Sequence, residues 1–172
     1  MKKKFDLIIF GGAPGSGKST VCEILQKKLN CPLIDFGWIR EFHLDREWKN
    51  ANKKEEQMSF DNLVFILKNY IKNGYKEVIV NDLQDFRIEQ IPKRFTKNRY
   101  IIIISLIVKD DNELKNRVLG ERDSGFKDFK ATISWNKKII DRKSIKNEIK
   151  VDNTHNSPEK TVESILKIIK DN

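Results

Sequence analysis

Only two cysteines, two histidines, four prolines and eight glycines occur among the 172 residues. Cys22 and Cys31 have no third or fourth partner and no metal-type spacing, so neither a disulfide framework nor a thiolate metal cluster is expected. They read as reduced packing thiols, one within a helix and one at the start of a strand. His43 and His155 stand too far apart in sequence to argue a metal site or a catalytic pair. No Pro-, Gly- or Ser-rich linker, repeat or low-complexity tract breaks the chain, so one unit over residues 1–172 is expected. A long apolar run is also missing. Behind the basic start Met1-Lys2-Lys3-Lys4 the apolar stretch lasts about six residues before Gly11-Gly12, shorter than a secretory signal requires, which points to a cytoplasmic protein without a membrane segment.

What is abundant is charge. Lys and Arg number 34 against 25 Asp and Glu, a formal +9, while 38% of residues are hydrophobic. That composition suits a soluble globular domain able to bury a core, and excludes a disordered chain. The basic excess attracts anions in general and does not choose among nucleotides, phosphorylated metabolites and nucleic acid. Only eight of the basic residues are arginine, and the lysines fall in scattered pairs such as Lys27-Lys28 and Lys137-Lys138, without a basic run or interleaved aromatics. A solvated lysine-rich surface is favoured over a nucleic-acid interface.

Short apolar segments alternate with helix-period segments. Strands are predicted at 5–10, 32–35, 77–80, 100–108 and 149–151, the middle three mostly continuous apolar runs, as in a parallel sheet covered on both faces. Helices fill the gaps: 18–29 carries Val21, Ile24, Leu25 and Leu29 on one stripe, and Phe60, Leu63, Val64, Leu67 and Ile71 mark a long helix stopped at Asn73-Gly74. Ser157-Pro158-Glu159 has the cap, first-turn proline and acid that open a last helix. Strands alternating with helices give an α/β fold with a doubly wound, right-handed parallel sheet.

Gly12-Ala13-Pro14-Gly15-Ser16-Gly17-Lys18-Ser19 fits the phosphate-loop pattern G-x-x-x-x-G-K-[ST] at every fixed position, between a strand and a helix. A phosphate cradle needs glycines that let the backbone aim its N–H groups inward, and a helix whose N-terminal dipole faces the anion. Lys18 is placed to reach the β- and γ-phosphates, the Ser19 hydroxyl to ligate Mg²⁺, and the loop with Thr20 to bind a nucleotide. Switch GTPases also carry Asp-x-x-Gly and Asn-Lys-x-Asp motifs, and neither occurs here in a usable position.

Four segments carry a resemblance to the small phosphate-loop kinases, the nucleoside monophosphate kinase-like group that includes shikimate, gluconate, adenylate and 5′-hydroxyl polynucleotide kinases. They are the phosphate loop, residues 33–40 with Asp35 and Arg40, residues 114–126 with Arg117 and Arg122, and residues 151–159 with Asn153 and Thr154. The resemblance implies a three-layer α/β/α P-loop fold with a five-stranded parallel sheet and a helical lid near 117–131. It also implies ATP and Mg²⁺ as cosubstrate and cofactor, and γ-phosphoryl transfer to a hydroxyl of a small polar molecule or a nucleotide. By the same resemblance Asp35 meets the acceptor hydroxyl and Arg40 holds the acceptor's anion. Arg117 and Arg122 close over the transfer, and Asn153 and Thr154 touch the adenine. Each role has a structural alternative: Asp35 as a helix cap, Arg117 and Arg122 as partners of Glu113 and Glu121, and residues 151–159 as a capped turn.

The pattern also departs from the group. After the third strand stands Asn81-Asp82-Leu83-Gln84-Asp85, where nucleoside monophosphate kinases have Asp-Gly-Phe-Pro-Arg, so the arginine that grips a monophosphate is missing there. Asp82 is left to hold magnesium through water or to touch the substrate. Asp123-Ser124-Gly125-Phe126 replaces the Gly-His-Phe of gluconate kinases, and the Asp-x-x-Arg of polynucleotide kinases is stretched to Asp35…Arg40. Phe36, Trp38, Phe42, His43 and Trp48 could wall an acceptor pocket or pack in the core. The expected partners are ATP and a small hydroxyl-bearing acceptor, in a monomer or weak dimer. A 5′-hydroxyl polynucleotide kinase and a nucleotide-binding regulator without an acceptor are the alternatives.

Overall fold

A computed structural model describes residues 4–42, 51–95, 99–120 and 126–172. Five strands, β1 (Leu7–Gly11), β2 (Leu33–Asp35), β3 (Val78–Asn81), β4 (Ile101–Ile107) and β5 (Glu148–Asp152), form one all-parallel sheet in the order β2-β3-β1-β4-β5. The described helices are α1 (Lys18–Leu29), α2 (Phe36–Glu41), α3 (Lys53–Lys72), α4 (Asp85–Lys93), α5 (Asp111–Leu119), α6 (Phe129–Asp141) and α7 (Pro158–Asp171).

The period of two along each strand divides the core between two faces. From β1, Leu7 and Ile9 join Phe60, Leu63 and Leu67 of α3 and Ile88 and Ile91 of α4. Ile8 and Phe10 turn the other way, onto Val21 and Leu25 of α1 and Val162 and Ile165 of α7. Helices on both faces make three layers, as the alternation of elements implies.

Strand boundaries differ from the sequence expectation by one or two residues. Glu77 takes φ 56 and cannot continue a strand, so β3 begins after it and runs on to Asn81, paired with Asp35 of β2. The expected stops are present, with Asn73 capping the end of α3 and Gly74 at φ 85 beyond it. Asp110 accepts from the N–H groups of Asn112 and Glu113, and Ser157 from that of Lys160.

Cys22 is fully buried in α1, and Cys31 is half-buried in the turn ahead of β2 rather than inside that strand. Burial pushes the Cys22 thiol well above its ordinary pKa and that of Cys31 to about 11, which makes both poor nucleophiles. No helix among the described residues is long and apolar enough to cross a membrane.

Because every strand points the same way, the loops after β1, β2, β3 and β5 open on one edge of the sheet. In such sheets the crevice beyond the strands' carboxyl ends is where ligands bind.

Candidate functional site

The loop from β1 to α1 curls through three glycines in the left-handed region, Gly12 at φ 138, Gly15 at φ 74 and Gly17 at φ 93. At Gly12 a side chain is excluded twice over, since a Cβ would stand 2.6 Å from Ser16 Oγ and 2.7 Å from the Leu106 carbonyl oxygen. Inside the curl, Lys18 Nζ donates to the carbonyl oxygens of Gly12 and Ala13 at 2.9 and 3.0 Å. Burial pushes the Lys18 ammonium below its ordinary pKa, against the pull of Asp82, Cys22 and Asp35.

The N-terminus of α1 differs from those of α3, α5, α6 and α7. A side chain caps each of those four helices, whereas α1 starts at Gly17 with no side-chain cap and no acid in its first turn. Its N–H groups and positive dipole end therefore open on solvent and would accept an anion. Ser16 Oγ is buried without a hydrogen-bond partner among the described residues. The donor set fits a nucleotide phosphate chain.

Across the loop stand two acids. Asp35 closes β2 and caps α2, accepting from the Gly37 N–H at 2.9 Å through Oδ1 and from the Asn81 amide at 3.0 Å through Oδ2. Asp82 follows β3 in a left-handed conformation, φ 62. Gly37 is what lets the two approach, because a Cβ there would lie 3.0 Å from Asp35 Oδ1 and 3.0 Å from Asp82 Oδ2. Burial raises the Asp35 pKa above the ordinary carboxylate value, with the Gly37 and Asn81 hydrogen bonds and Lys18 offsetting part of that. Desolvation in the cleft and the Asp35 charge raise that of Asp82, while Lys18 and Arg40 hold it down. Two acids that resist ionisation beside a lysine can take or share a proton, or meet a hydrated cation.

The larger cleft, of about 910 Å³, is bounded by Gly12, Lys18, Ser19, Asp82, Arg117 and Asn153. Asn153 Nδ2 donates to the Ser16 carbonyl oxygen at 2.8 Å, tying the turn after β5 to the phosphate loop. Arg117 pairs with Glu113 at 2.8 Å and donates to the Thr154 carbonyl oxygen at 2.6 Å. Thr154 Oγ1 itself accepts from the Lys109 N–H at 2.8 Å.

Residues 8–150 match the AAA domain family. The chain belongs to that family. A Pyrococcus abyssi protein provisionally named an adenylate kinase is 24% identical to this AAA domain over 95% of the chain and 84% of its own length. Among solved structures, a sugar kinase from Janibacter sp. HTCC2649 superposes with a TM-score of 0.71 at 11% identity, covering 96% of this chain and 95% of that one. A gluconokinase from Sinorhizobium meliloti 1021 gives 0.67 at 13% identity over 98% and 97% of the two chains. Shikimate kinase from Aquifex aeolicus gives 0.59 at 19% identity over 96% of both. At these identities the likeness is one of fold, and the fold is that of the small P-loop kinases.

In this AAA domain the structure brings together most of the residues singled out in the sequence. Gly12, Pro14, Gly15, Gly17, Lys18, Ser19, Thr20, Arg40, Asp82, Arg117 and Asn153 line the larger cleft, while Ala13, Ser16, Asp35 and Thr154 are not part of that lining. Arg40 is paired with Glu56 at 2.5 Å. Arg122, and with it residues 121–125 of the expected lid, lies outside the described residues, as do His43 and Trp48.

The aromatic set divides over the two readings left open by the sequence. Phe36 is a core residue, 4% exposed and edge-on to Phe60, and Trp38 and Phe42 are 59% and 78% exposed without lining the cleft, because α2 turns only its Phe36 and Ile39 face inward. Asn81 was missed. Its signal in the sequence was a polar residue ending an apolar strand, the same pattern that marks Asp35 at the end of β2. Trp135 and Asn116 also line the cleft and carried no motif.

Proposed function

We propose that the protein is a kinase that moves the γ-phosphoryl group of ATP, with Mg²⁺, to a hydroxyl of a small polar molecule or a nucleotide. The observation that carries this is the uncapped N-terminus of α1 and the Lys18 ammonium in one cleft with the Asp82 carboxyl, which Gly37 lets approach that of Asp35.

Lys18 exchanges its two carbonyl partners for phosphate oxygens, and its tuning toward neutrality by burial is reversed once anionic oxygens surround it. Ser19, the hydroxyl residue that follows Lys18 in the phosphate loop, would hold Mg²⁺ through its hydroxyl. When bound, the metal neutralises charge on the phosphates. Asp35, oriented by Asn81 and the Gly37 N–H, takes the acceptor's proton as the oxygen–phosphorus bond forms. Asp82 and Arg40 line the acceptor side, and Asn153 and Thr154, in the turn after β5, are the residues that would meet the base. Arg117, joined by Arg122, offsets the charge spread over the moving group.

One observation favours a second assignment of the acid: Asp82 lines the cleft directly and Asp35 does not. The kinase assignment is tested by incubating the protein with γ-labelled ATP, Mg²⁺ and a panel of hydroxyl-bearing metabolites, nucleosides and 5′-hydroxyl oligonucleotides. Label is expected on a small acceptor, and none is expected with Lys18→Ala, whose circular dichroism should match the wild type. Hydrolysis without transfer to any acceptor would identify a regulator instead.

A further inference from the structure

We infer that the acceptor is an anion whose charged group is held by Arg87, in a second cleft between the start of α3 and α4. This rests on the kinase assignment only in calling the bound anion an acceptor; the anion site stands on its own observations.

Arg87 is 7% exposed, yet no carboxylate among the described residues stands within ion-pair distance of it, although Glu56 lines the same cleft. Its Nη1 donates to Gln57 Oε1 at 2.8 Å and to Gln90 Oε1 at 3.0 Å, both neutral amides. Its guanidinium lies over Phe60 at 4.5 Å and Phe86 at 4.9 Å. The nearby acids are already engaged: Glu56 pairs with Arg40 at 2.5 Å and Asp61 with Arg94 at 2.7 Å. Glu56 and Asp61 are thus taken by Arg40 and Arg94, and Arg87 makes no ion pair with either among the described residues. Desolvation lowers its pKa, with Glu56 and Asp61 acting against that from a distance. A buried cation is retained only where something compensates it, and an unpaired guanidinium presents a planar fork for a carboxylate or a phosphate.

The position fits a substrate. Arg87 faces a cleft of about 660 Å³ whose lining includes Asn52, Gln57, Gln84, Phe86 and Gln90. Side-chain amides can both donate to and accept from hydroxyl groups. Gln84 also lines the larger cleft, so the two meet at the loop after β3, next to Asp82. Arg40, by contrast, already faces Glu56. A hydroxyl-rich molecule anchored by its charge at Arg87 would extend toward Asp82 and the phosphate loop.

The test is calorimetric titration in the presence of a non-hydrolysable ATP analogue, which fills the larger cleft. Gluconate is compared with glucose, and ribose 5-phosphate with ribose, so that the two arms separate a carboxylate from a phosphate. At least one anion is expected to bind tenfold or more tightly than its neutral partner. Arg87→Gln should erase that preference and leave affinity for the ATP analogue unchanged. Gln57→Glu, which keeps the side chain's size and sets a carboxylate beside Nη1 in exchange for the hydrogen bond Gln57 makes to Asp61, should erase it equally, so the outcome does not depend on the fold tolerating loss of the arginine. No preference for charge in either pair, or a preference that survives both variants, overturns the inference. Arg87-dependent anion binding without transfer of labelled phosphate to any probe would instead remove the kinase assignment and leave the anion site standing.

Discussion

Asn81 and Asp35 end neighbouring strands in register, and the Asn81 amide donates to the Asp35 carboxylate over 3.0 Å. The same amide reaches Ser19 Oγ at 3.4 Å, so one side chain bridges the candidate metal-binding hydroxyl and the candidate base. Its Oδ1 is buried without a partner among the described residues. An aspartate in this place would set a third carboxyl beside Asp35 and Asp82; the amide gives the same reach without the repulsion.

Asn81→Ala therefore acts through Asp35. Burial already holds that carboxyl above its ordinary pKa and Asn81 pulls it down, so removing the amide raises it further. If Asp35 works as the ionised base, the acid limb of kcat/KM moves to higher pH, and activity recovers toward the wild-type level well above that limb. A pH profile of transfer checks this. A limb that stays in place would mean that the titrating base is elsewhere.

Gly37→Ala separates stability from function. Alanine favours a helix over glycine by about 1 kcal/mol, yet its Cβ would press on the carboxyl oxygens of both Asp35 and Asp82 at 3.0 Å. The thermal midpoint should hold within a few degrees while transfer falls by about 10²-fold, since small displacements of reacting groups cost that much. Equal losses in both would mean that the glycine serves the fold alone.

Away from the cleft, Arg142 binds Glu148 at 2.7 Å and Asp85 at 2.8 Å, and Glu148 also accepts from Ser105 Oγ at 2.5 Å. Burial pushes Glu148 up, but the hydrogen bonds from Arg142 and Ser105 outweigh it and leave its pKa below the ordinary value. Such a carboxylate adds stability above its unfolded pKa, and that contribution is lost as pH falls through the folded one. Arg142→Met strands a fully buried carboxylate at a cost of about 3 kcal/mol, or roughly 6–12 °C in midpoint. Denaturation scans at neutral and acid pH should show the deficit shrinking as Glu148 protonates.

The contrast between these residues explains what the sequence could disclose. The phosphate loop, the caps at Asp110 and Ser157 and the stripes of α1 and α3 are encoded by neighbours within one turn or one strand, and they stand where local pattern puts them. Arg142 and Asp85 are 57 positions apart, and Asn81 and Asp35 are 46 apart. Nothing local marks either pair, because the sheet order brings them together. Arg87 escaped for a similar reason. Its meaning lies in which acids are taken by Arg40 and Arg94, a balance set by the packing of α4 on α3.

Which acid serves the acceptor is decided by two variants measured side by side. Asp35→Asn keeps the helix cap, since Asn caps about as well as Asp, and removes the basic lone pair. With its folded pKa raised, Asp35 contributes stability that is present below its unfolded pKa and lost as pH rises through the folded value. At neutral pH the charge is therefore a burden on the fold, and Asp35→Asn should hold or raise the thermal midpoint. Transfer should fall by roughly 10²–10⁴-fold with nucleotide affinity little changed. Asp82→Asn is well tolerated at φ 62, where asparagine is among the residues that fit. It should cost less, because Asp82 only lines the acceptor side. The reverse order of losses would assign the proton transfer to Asp82, the acid that borders the cleft. Full activity in both variants would mean that neither carboxyl takes the proton.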